Sequence, residues 1–242
     1  MKLLAVETGT EACSVAVWVD GQVLERFELA PRRHTELVLP WAGELLAEAG
    51  IEKSQLDAIA VGRGPGAFTG VRLAVALVQG MALALDKPVV PISTLAALAM
   101  QCDAQAGDAT SPAAHILAAI DARMGELYLG VYQRAPDRLL VPVREEWMAA
   151  PTSPGLAAGQ HFLGVGSGFL ADGQALVTAL GDSLVRVDAQ ALPHAADIAR
   201  LAALAFDRGE AIAPDLLEPA YLRNKVALTL VEQADARRGR SP

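Results

Sequence analysis

The chain is poor in the residues that several function classes require. It has two cysteines, Cys13 and Cys102, in 242 residues. They lie far apart and outside any CxxC spacing, so neither a disulfide framework nor a thiolate zinc site can be read. The pair fits reduced thiols in a cytoplasm, with a single disulfide as the lesser alternative. The four histidines, His34, His115, His161 and His194, are scattered, with no HExxH or HxxxH pair to seat a metal on one helix face. Positive charge is also scarce. Lys and Arg total 20 against 28 Asp and Glu, a net charge of −8. That balance argues against a protein that grips nucleic acid by neutralising phosphates with its own surface, and leaves any such role to a basic partner. The first apolar run, residues 3–6, meets Glu7 too early to be a secretory leader. The longest, residues 71–85, carries Arg72 and Gln79, is shorter than the roughly 20 residues of a membrane span, and reads as a buried helix. No Gly-x-Ser-x-Gly elbow occurs, because Gly164-Val165-Gly166-Ser167-Gly168 has the wrong offset.

What is present is a globular vocabulary. Hydrophobic residues make up 52% and charged residues 20% of the chain, which excludes disorder and suits close-packed helices and buried strands. Three strands open it, at residues 3–6, 13–19 and 23–29. The last two are joined by Asp20-Gly21, whose positive φ angles suit a tight antiparallel hairpin. A helix is expected over residues 35–49, with Pro40 as a kink or late start. A short strand at 58–61 then runs through Gly62-Arg63-Gly64-Pro65-Gly66 into a helix to about residue 85. Strand 89–92 follows, and Ser93 or Thr94 can cap a helix to about residue 101. Residues 103–112 turn to Asp, Gly, Ser, Thr and Pro, the composition of a connector. This places one domain at 1–102, a second at 103–225 and a tail at 226–242. The second half begins as the first did: an apolar strand at 116–120, acidic Asp121, a turn, and a strand at 127–132. Glu7 and Asp121 thus end matching strands, which marks an internal duplication into two related subdomains rather than a solenoid. Further on, a strand at 161–165, a helix at 194–206 and an extended return at 214–222 are expected.

A strand-end carboxylate leading into a Thr/Gly turn suits phosphate and magnesium, with turn amides aimed at phosphate oxygens. Glu7-Thr8-Gly9-Thr10 and Asp121 would form such a clamp. The alternative for Glu7-Thr8-Gly9-Thr10 is a polar turn and nothing more. The glycine-rich stretch 62–72 joins a strand to a helix, so helix amides are available to an anion, or its glycines only permit tight packing. It lacks the Gly-Lys-Ser/Thr ending of a P-loop. Its loose Gly62-x-Gly64-x-x-Ala67 match to a dinucleotide fingerprint fails because Asp86 ends a helix, not a strand. The two flanking helices are apolar over unusually wide arcs. On the first, Leu37, Leu39, Trp41, Leu45 and Leu46 cover about 200°, roughly twice what a surface helix needs. On the second, Arg72, Gln79 and Asp86 form one polar stripe seven residues apart in an otherwise apolar or small sequence. Either helix alone would pass as a core element. Together they exceed what so small a domain can cover, which points to a face for another protein. Candidate contacts are Leu37, Leu39, Trp41, Leu45 and Leu46 with Phe68, Val71, Leu73, Val75 and Val78, with Arg63 and Arg72 pairing partner carboxylates at the rim.

Five stretches carry a resemblance: 3–8 with 10–16; Arg33-His34-Thr35-Glu36 with Leu39-Pro40; 61–72; Ile120-Asp121-Ala122-Arg123-Met124-Gly125-Glu126-Leu127-Tyr128; and Pro219-Ala220-Tyr221-Leu222-Arg223. Together they span most of the chain, which resembles the TsaB (YeaZ) family of bacterial tRNA threonylcarbamoyladenosine synthesis. The resemblance implies an α/β chain of the ASKHA (actin-like ATPase) fold, with two ribonuclease-H-like subdomains of mixed sheets flanked by helices. It implies a cytoplasmic, non-catalytic accessory subunit with no metal and no cofactor of its own. The implied partners are the catalytic paralogue TsaD and the ATPase TsaE, with ATP or ADP and Mg at the TsaD interface as an option. TsaD then modifies adenosine 37 of ANN-decoding tRNAs, so tRNA is met only through the complex. The first two helices are the implied docking surface, with a homodimer when TsaD is absent. Glu7, where most relatives carry Asp, implies a vestigial site at Glu7, Thr8, Gly9, Thr10 and Asp121. The rival is an enzyme: a phosphotransferase-like use of MgATP by Glu7 and Asp121, or a peptidase, for which no nucleophile and base are paired.

Overall fold

A computed structural model describes residues 1–102, 115–134 and 140–223. The expected connector at 103–112, and with it the 102/103 boundary, falls outside these residues, as does the tail. The first sheet is built from β1 (Lys2–Glu7), β2 (Ala12–Val19), β3 (Gln22–Leu29), β4 (Ala58–Gly62) and β5 (Val89–Ile92), in the order β3-β2-β1-β4-β5. β1 to β3 form the antiparallel meander, and β4 and β5 add in parallel. The second sheet contains β6 (His115–Arg123), β7 (Glu126–Arg134), β8 (Leu140–Pro142), β9 (Trp147–Ala149), β10 (Phe162–Val165) and β11 (Leu184–Asp188). Its order is β11-β10-β6-β7-β8, with β9 also paired to β7. β6 and β7 are antiparallel and β10 and β11 parallel, so the second sheet repeats the plan of the first, strand for strand around its central pair.

Alternation along the strands assigns the layers. On the first sheet, Leu4, Val6, Val15, Val17, Ile59 and Val61 face helices α1 (His34–Glu48) and α2 (Phe68–Leu85). Leu3, Ala5, Ala16, Ala58, Ala60 and Val90 face helix α5 (Ala195–Asp207), whose small inner residues Ala195, Ala199 and Ala202 allow close approach. On the second sheet, Ile116, Ala118 and Ile120 meet helix α3 (Thr94–Met100) through Leu95 and Leu98. Leu117, Leu127, Leu129 and Phe162 meet helix α4 (Ala175–Leu180) through Leu176 and Leu180. Each half therefore sends its last helix to the sheet of the other: α3 from the first covers the second, and α5 from the second covers the first. Packing therefore runs between the two halves as well as within each.

Helix α2, which reads as a buried helix in the sequence, is not buried all round: its buried residues are Val71, Ala74, Val75, Val78 and Ala82, one inner stripe. On its polar stripe Asp86 is exposed and Gln79 half-buried. Gln79 Nε2 donates to the carbonyls of Pro214 and Leu217, both at 3.1 Å, which lays the C-terminal return along the helix. That return is a short 3-10 turn at Pro214–Leu216 followed by irregular chain, pinned at its ends by the Ile212 bridge to Val89 and the Ala220 amide on the Arg63 carbonyl. Both cysteines are buried.

Candidate functional site

Two surfaces gather the residues singled out above. One is a cleft of about 1120 Å³ between the halves, floored by loops from both. Gly9 and Thr10 of the β1–β2 turn, Arg32 and His34 before and at the start of α1, and residues 66–73 line one side. Residues 120–123, Ser167, Leu170 and the return segment 219–223 line the other.

The first hairpin turn is packed from below. Thr8 donates its hydroxyl to the Gly70 carbonyl at 2.7 Å, and the Ala67 amide donates to the Gly9 carbonyl at 2.7 Å. A Cβ on Gly66 would lie 2.3 Å from the Gly9 oxygen, and one on Gly70 would lie 2.0 Å from the Thr8 oxygen. Between the two readings of the glycine-rich stretch, tight packing describes these two positions. Glu7 is 1% exposed and does not line the cleft. Its Oε1 accepts from the Gly9 amide and its Oε2 from the Thr94 hydroxyl at 2.8 Å, while Thr94 Oγ1 accepts from the Gly64 amide at 3.2 Å. Burial pushes the Glu7 carboxyl up to about 7, against the opposing pull of the Gly9 amide, the Thr94 hydroxyl and the Thr8 amide. Glu7 and Thr8 thus tie the turn to the glycine-rich loop and to the start of α3. Of the residues expected in a vestigial site, Glu7 and Thr8 point their side chains into protein and do not line the cleft. Gly9, Thr10 and Asp121 do line the cleft, but Asp121 accepts from the backbone amide of Arg123 at 2.8 Å and its guanidinium at 2.9 Å.

At the cleft mouth the Arg72 guanidinium lies 3.3 Å from the Phe68 ring centroid and 5.0 Å from that of Tyr221. It also donates to the Phe68 carbonyl at 3.1 Å. His34 Nε2 is 3.1 Å from the carbonyls of both Thr10 and Ala12. Two acceptors assign the ring proton to Nε2. Arg223 clamps the second hairpin, donating to the carbonyls of Ala122 and Arg123 and to Glu126 Oε2 at 2.9 Å.

The other surface is the outer side of α1 and α2. The structure divides the expected contact residues. Leu45, Leu46, Val71, Val75 and Val78 are buried in the chain's own core, each at 6% exposure or less. They are corrected from contacts to core, because they lie on the stripe that meets the sheet. Leu37 and Trp41 are half-buried against that core. Leu73 is half-buried at the cleft, and Phe68 and Arg72 also turn there. Arg63 is exposed and lies outside the cleft. Leu39 is exposed on α1, with Gly43 and Ala47 at successive helical turns. On α2 the exposed line is Ala76, Gly80 and Ala84, flanked by Leu83. A Cβ at Gly43 or Gly80 would meet nothing within 4 Å, so both helices present a smooth apolar ridge. The sequence reading missed the bond of buried Thr94 to Glu7 and the places of Arg32 and Tyr221 in the cleft. Its available signal was the polar stripe of α2, which marks where the return segment lies.

The comparisons with known proteins cover nearly the whole chain. Residues 27–229 match the family model described as TsaD, tRNA N6-adenosine threonylcarbamoyltransferase. The Escherichia coli protein named tRNA threonylcarbamoyladenosine biosynthesis protein TsaB is 38% identical over 235 residues, 94% of this chain and 96% of its own. The chain belongs to the TsaB family. The Haemophilus influenzae TsaB is likewise 38% identical, over 93% of this chain and 95% of its own. The solved structure of YeaZ from Pseudomonas aeruginosa is 41% identical, with a TM-score of 0.78 over 91% of this chain and 99% of that one. The two mixed sheets with their helices are thus the halves of an actin-like ASKHA fold. Within this TsaB-family chain, the hairpin turn that suggested a phosphate grip is bonded to the protein around it.

Proposed function

We propose that this chain is a non-catalytic subunit of tRNA threonylcarbamoyladenosine biosynthesis in the bacterial cytoplasm. It docks on TsaD, with TsaE joining the assembly, while TsaD modifies adenosine 37 of ANN-decoding tRNAs. Alone, the chain forms a homodimer through a related surface. It holds no nucleotide of its own, and ATP or ADP with Mg sits at the shared interface with TsaD. The observation that carries this reading is the outer ridge of α1 and α2. Leu39, Gly43 and Ala47 on α1 and Ala76, Gly80, Leu83 and Ala84 on α2 are left exposed by the described residues, surfaces suited to close helix packing across an interface. The names of the relatives supply the pathway.

Gly80→Arg tests it. The site has open space around it, and arginine is a better helix former than glycine, so the isolated fold is kept. The expected result is loss of TsaD on copurification, together with loss of threonylcarbamoyladenosine in tRNA when the variant replaces the wild type. Full modification and an unchanged TsaD complex in a Gly43→Arg/Gly80→Arg double variant would overturn the docking assignment.

A further inference from the structure

The cleft mouth concentrates features that the docking ridge does not use. In a chain of net charge −8, the cleft lining carries four arginines, Arg32, Arg72, Arg123 and Arg223, against two carboxylates, Glu11 and Asp121. Asp121 is already covered by Arg123. Arg32 is exposed, held at φ 69° beside the cleft, and has no acidic partner among the described residues. Arg72 is held by two rings and a carbonyl rather than by an acid. Phe68 and Tyr221 are 63% and 56% exposed, and Leu170, at 47%, lines the same opening.

We infer that this mouth binds a single-stranded stretch of RNA, one base extending the Phe68–Arg72–Tyr221 stack and the adjoining phosphates meeting Arg32 and Arg72. Exposed aromatic rings piled on a guanidinium offer the flat, sequence-tolerant platform on which bases stack. The geometry favours a strand over a free nucleoside triphosphate. The turn that would hold a polyphosphate is closed by Ala67 on Gly9, Thr8 on Gly70 and the glycine contacts beneath it. What is left open is the ring and guanidinium platform with Arg32 and Arg72 on the same lining, groups able to meet the phosphates that flank a stacked base. The acidic remainder of the chain keeps such binding weak and salt-sensitive, so the contact positions RNA that a partner holds more firmly.

The test has two arms, both on the full chain. In the first, a fluorescein-labelled uridine octamer is titrated by anisotropy. Tyr221→Ala and Arg72→Gln are each expected to weaken binding about tenfold, the loss of one stacked base, and Tyr221→Trp to restore it. Arg32→Ala is expected to lower the salt-dependence slope by about 0.7. In the second, a tRNA transcript carrying 4-thiouridine is crosslinked in the presence of TsaD, and peptides containing residues 67–72 or 219–223 are expected to be labelled. Equal octamer affinity in wild type and both variants overturns the proposal, as do crosslinks confined to TsaD. ATP that occupies the cleft and expels the octamer also overturns it. So does release of TsaD by Tyr221→Ala with RNA affinity unchanged, which would make the mouth a seat for a protein segment. Gly80→Arg separates the two readings, since it breaks the docking ridge and leaves octamer binding by the isolated chain intact.

Discussion

The central strands β1, β2 and β4 are repeated by β6, β7 and β10 with the same directions, yet the outer cover of the two sheets is unequal. The first sheet carries helices of 15 and 18 residues on its outer face, and the second carries one of 6. Both inner faces are served by exchanged helices, α5 on the first sheet and α3 on the second. The second half buries its outer face under α4, Phe169 and short turns. The first half keeps two long helices that use one stripe each for the sheet and leave another stripe exposed, the surface proposed above for association.

The largest test of that contrast is Gly80→Arg, with complete loss of TsaD copurification and a melting temperature near that of the wild type. A charge at exposed Val185 on β11 of the second half should leave the complex untouched. Next is Gly62→Ala. Its Cβ would fall 1.8 Å from Glu7 Oε2, so the buried carboxylate must move, and a loss of about 3 kcal/mol or more in urea unfolding is expected. Gly173→Ala in the second half has open space but φ +63°, and should cost only about 1 kcal/mol. Third, Glu7 has a native carboxyl raised from its ordinary 4.5 to about 7. The native state therefore binds more protons than the unfolded chain in that window, and stability falls as pH rises through it, by roughly 3 kcal/mol in full. Glu7→Gln, neutral throughout, should flatten the profile between those limits. Glu25 behaves oppositely. Burial raises its carboxyl, but His194, the Ala196 amide and Ser14 outweigh burial and hold it below its ordinary value. Its contribution is present above the unfolded value and is lost as pH falls through the native one. The smallest expected effect compares the exchanged helices. Ser93 caps α3 from its own chain position, accepting from the Ala96 amide at 3.1 Å, whereas Ser14 of β2 accepts from the Ala195 amide of α5 at 2.9 Å. Alanine at either position should cost about 1 kcal/mol by thermal denaturation.

Much of this was readable in one dimension. Short apolar runs bounded by turn residues marked β1, β2, β4 and β6, Asp20-Gly21 fixed a hairpin, and the matched positions of Glu7 and Asp121 revealed the repeat. Ser93 was visible as a cap because its side chain acts on its own helix. What escaped notice depended on distant neighbours. An arc of 200° says that a helix is broadly apolar, but not which part meets a sheet, so Leu45, Leu46, Val71, Val75 and Val78 could not be told from Leu39. The exchange of α3 and α5 leaves no local trace, since an amphipathic helix reads the same whichever sheet it covers. In the sequence Glu7 stands out as a replacement for the Asp of most relatives. Its observed partners are Thr94 and Gly9, one of them 87 residues away, a relation that no short motif encodes.

The traded helices also bear on how the chain could be divided. A cut in the stretch between Cys102 and His115 would leave each fragment holding the roof that belongs to the other and lacking its own. Neither piece alone would stay soluble with a bare inner face, but synthesised together they should reassemble, and separation of the pair would then serve as a reporter of how strongly the halves hold one another.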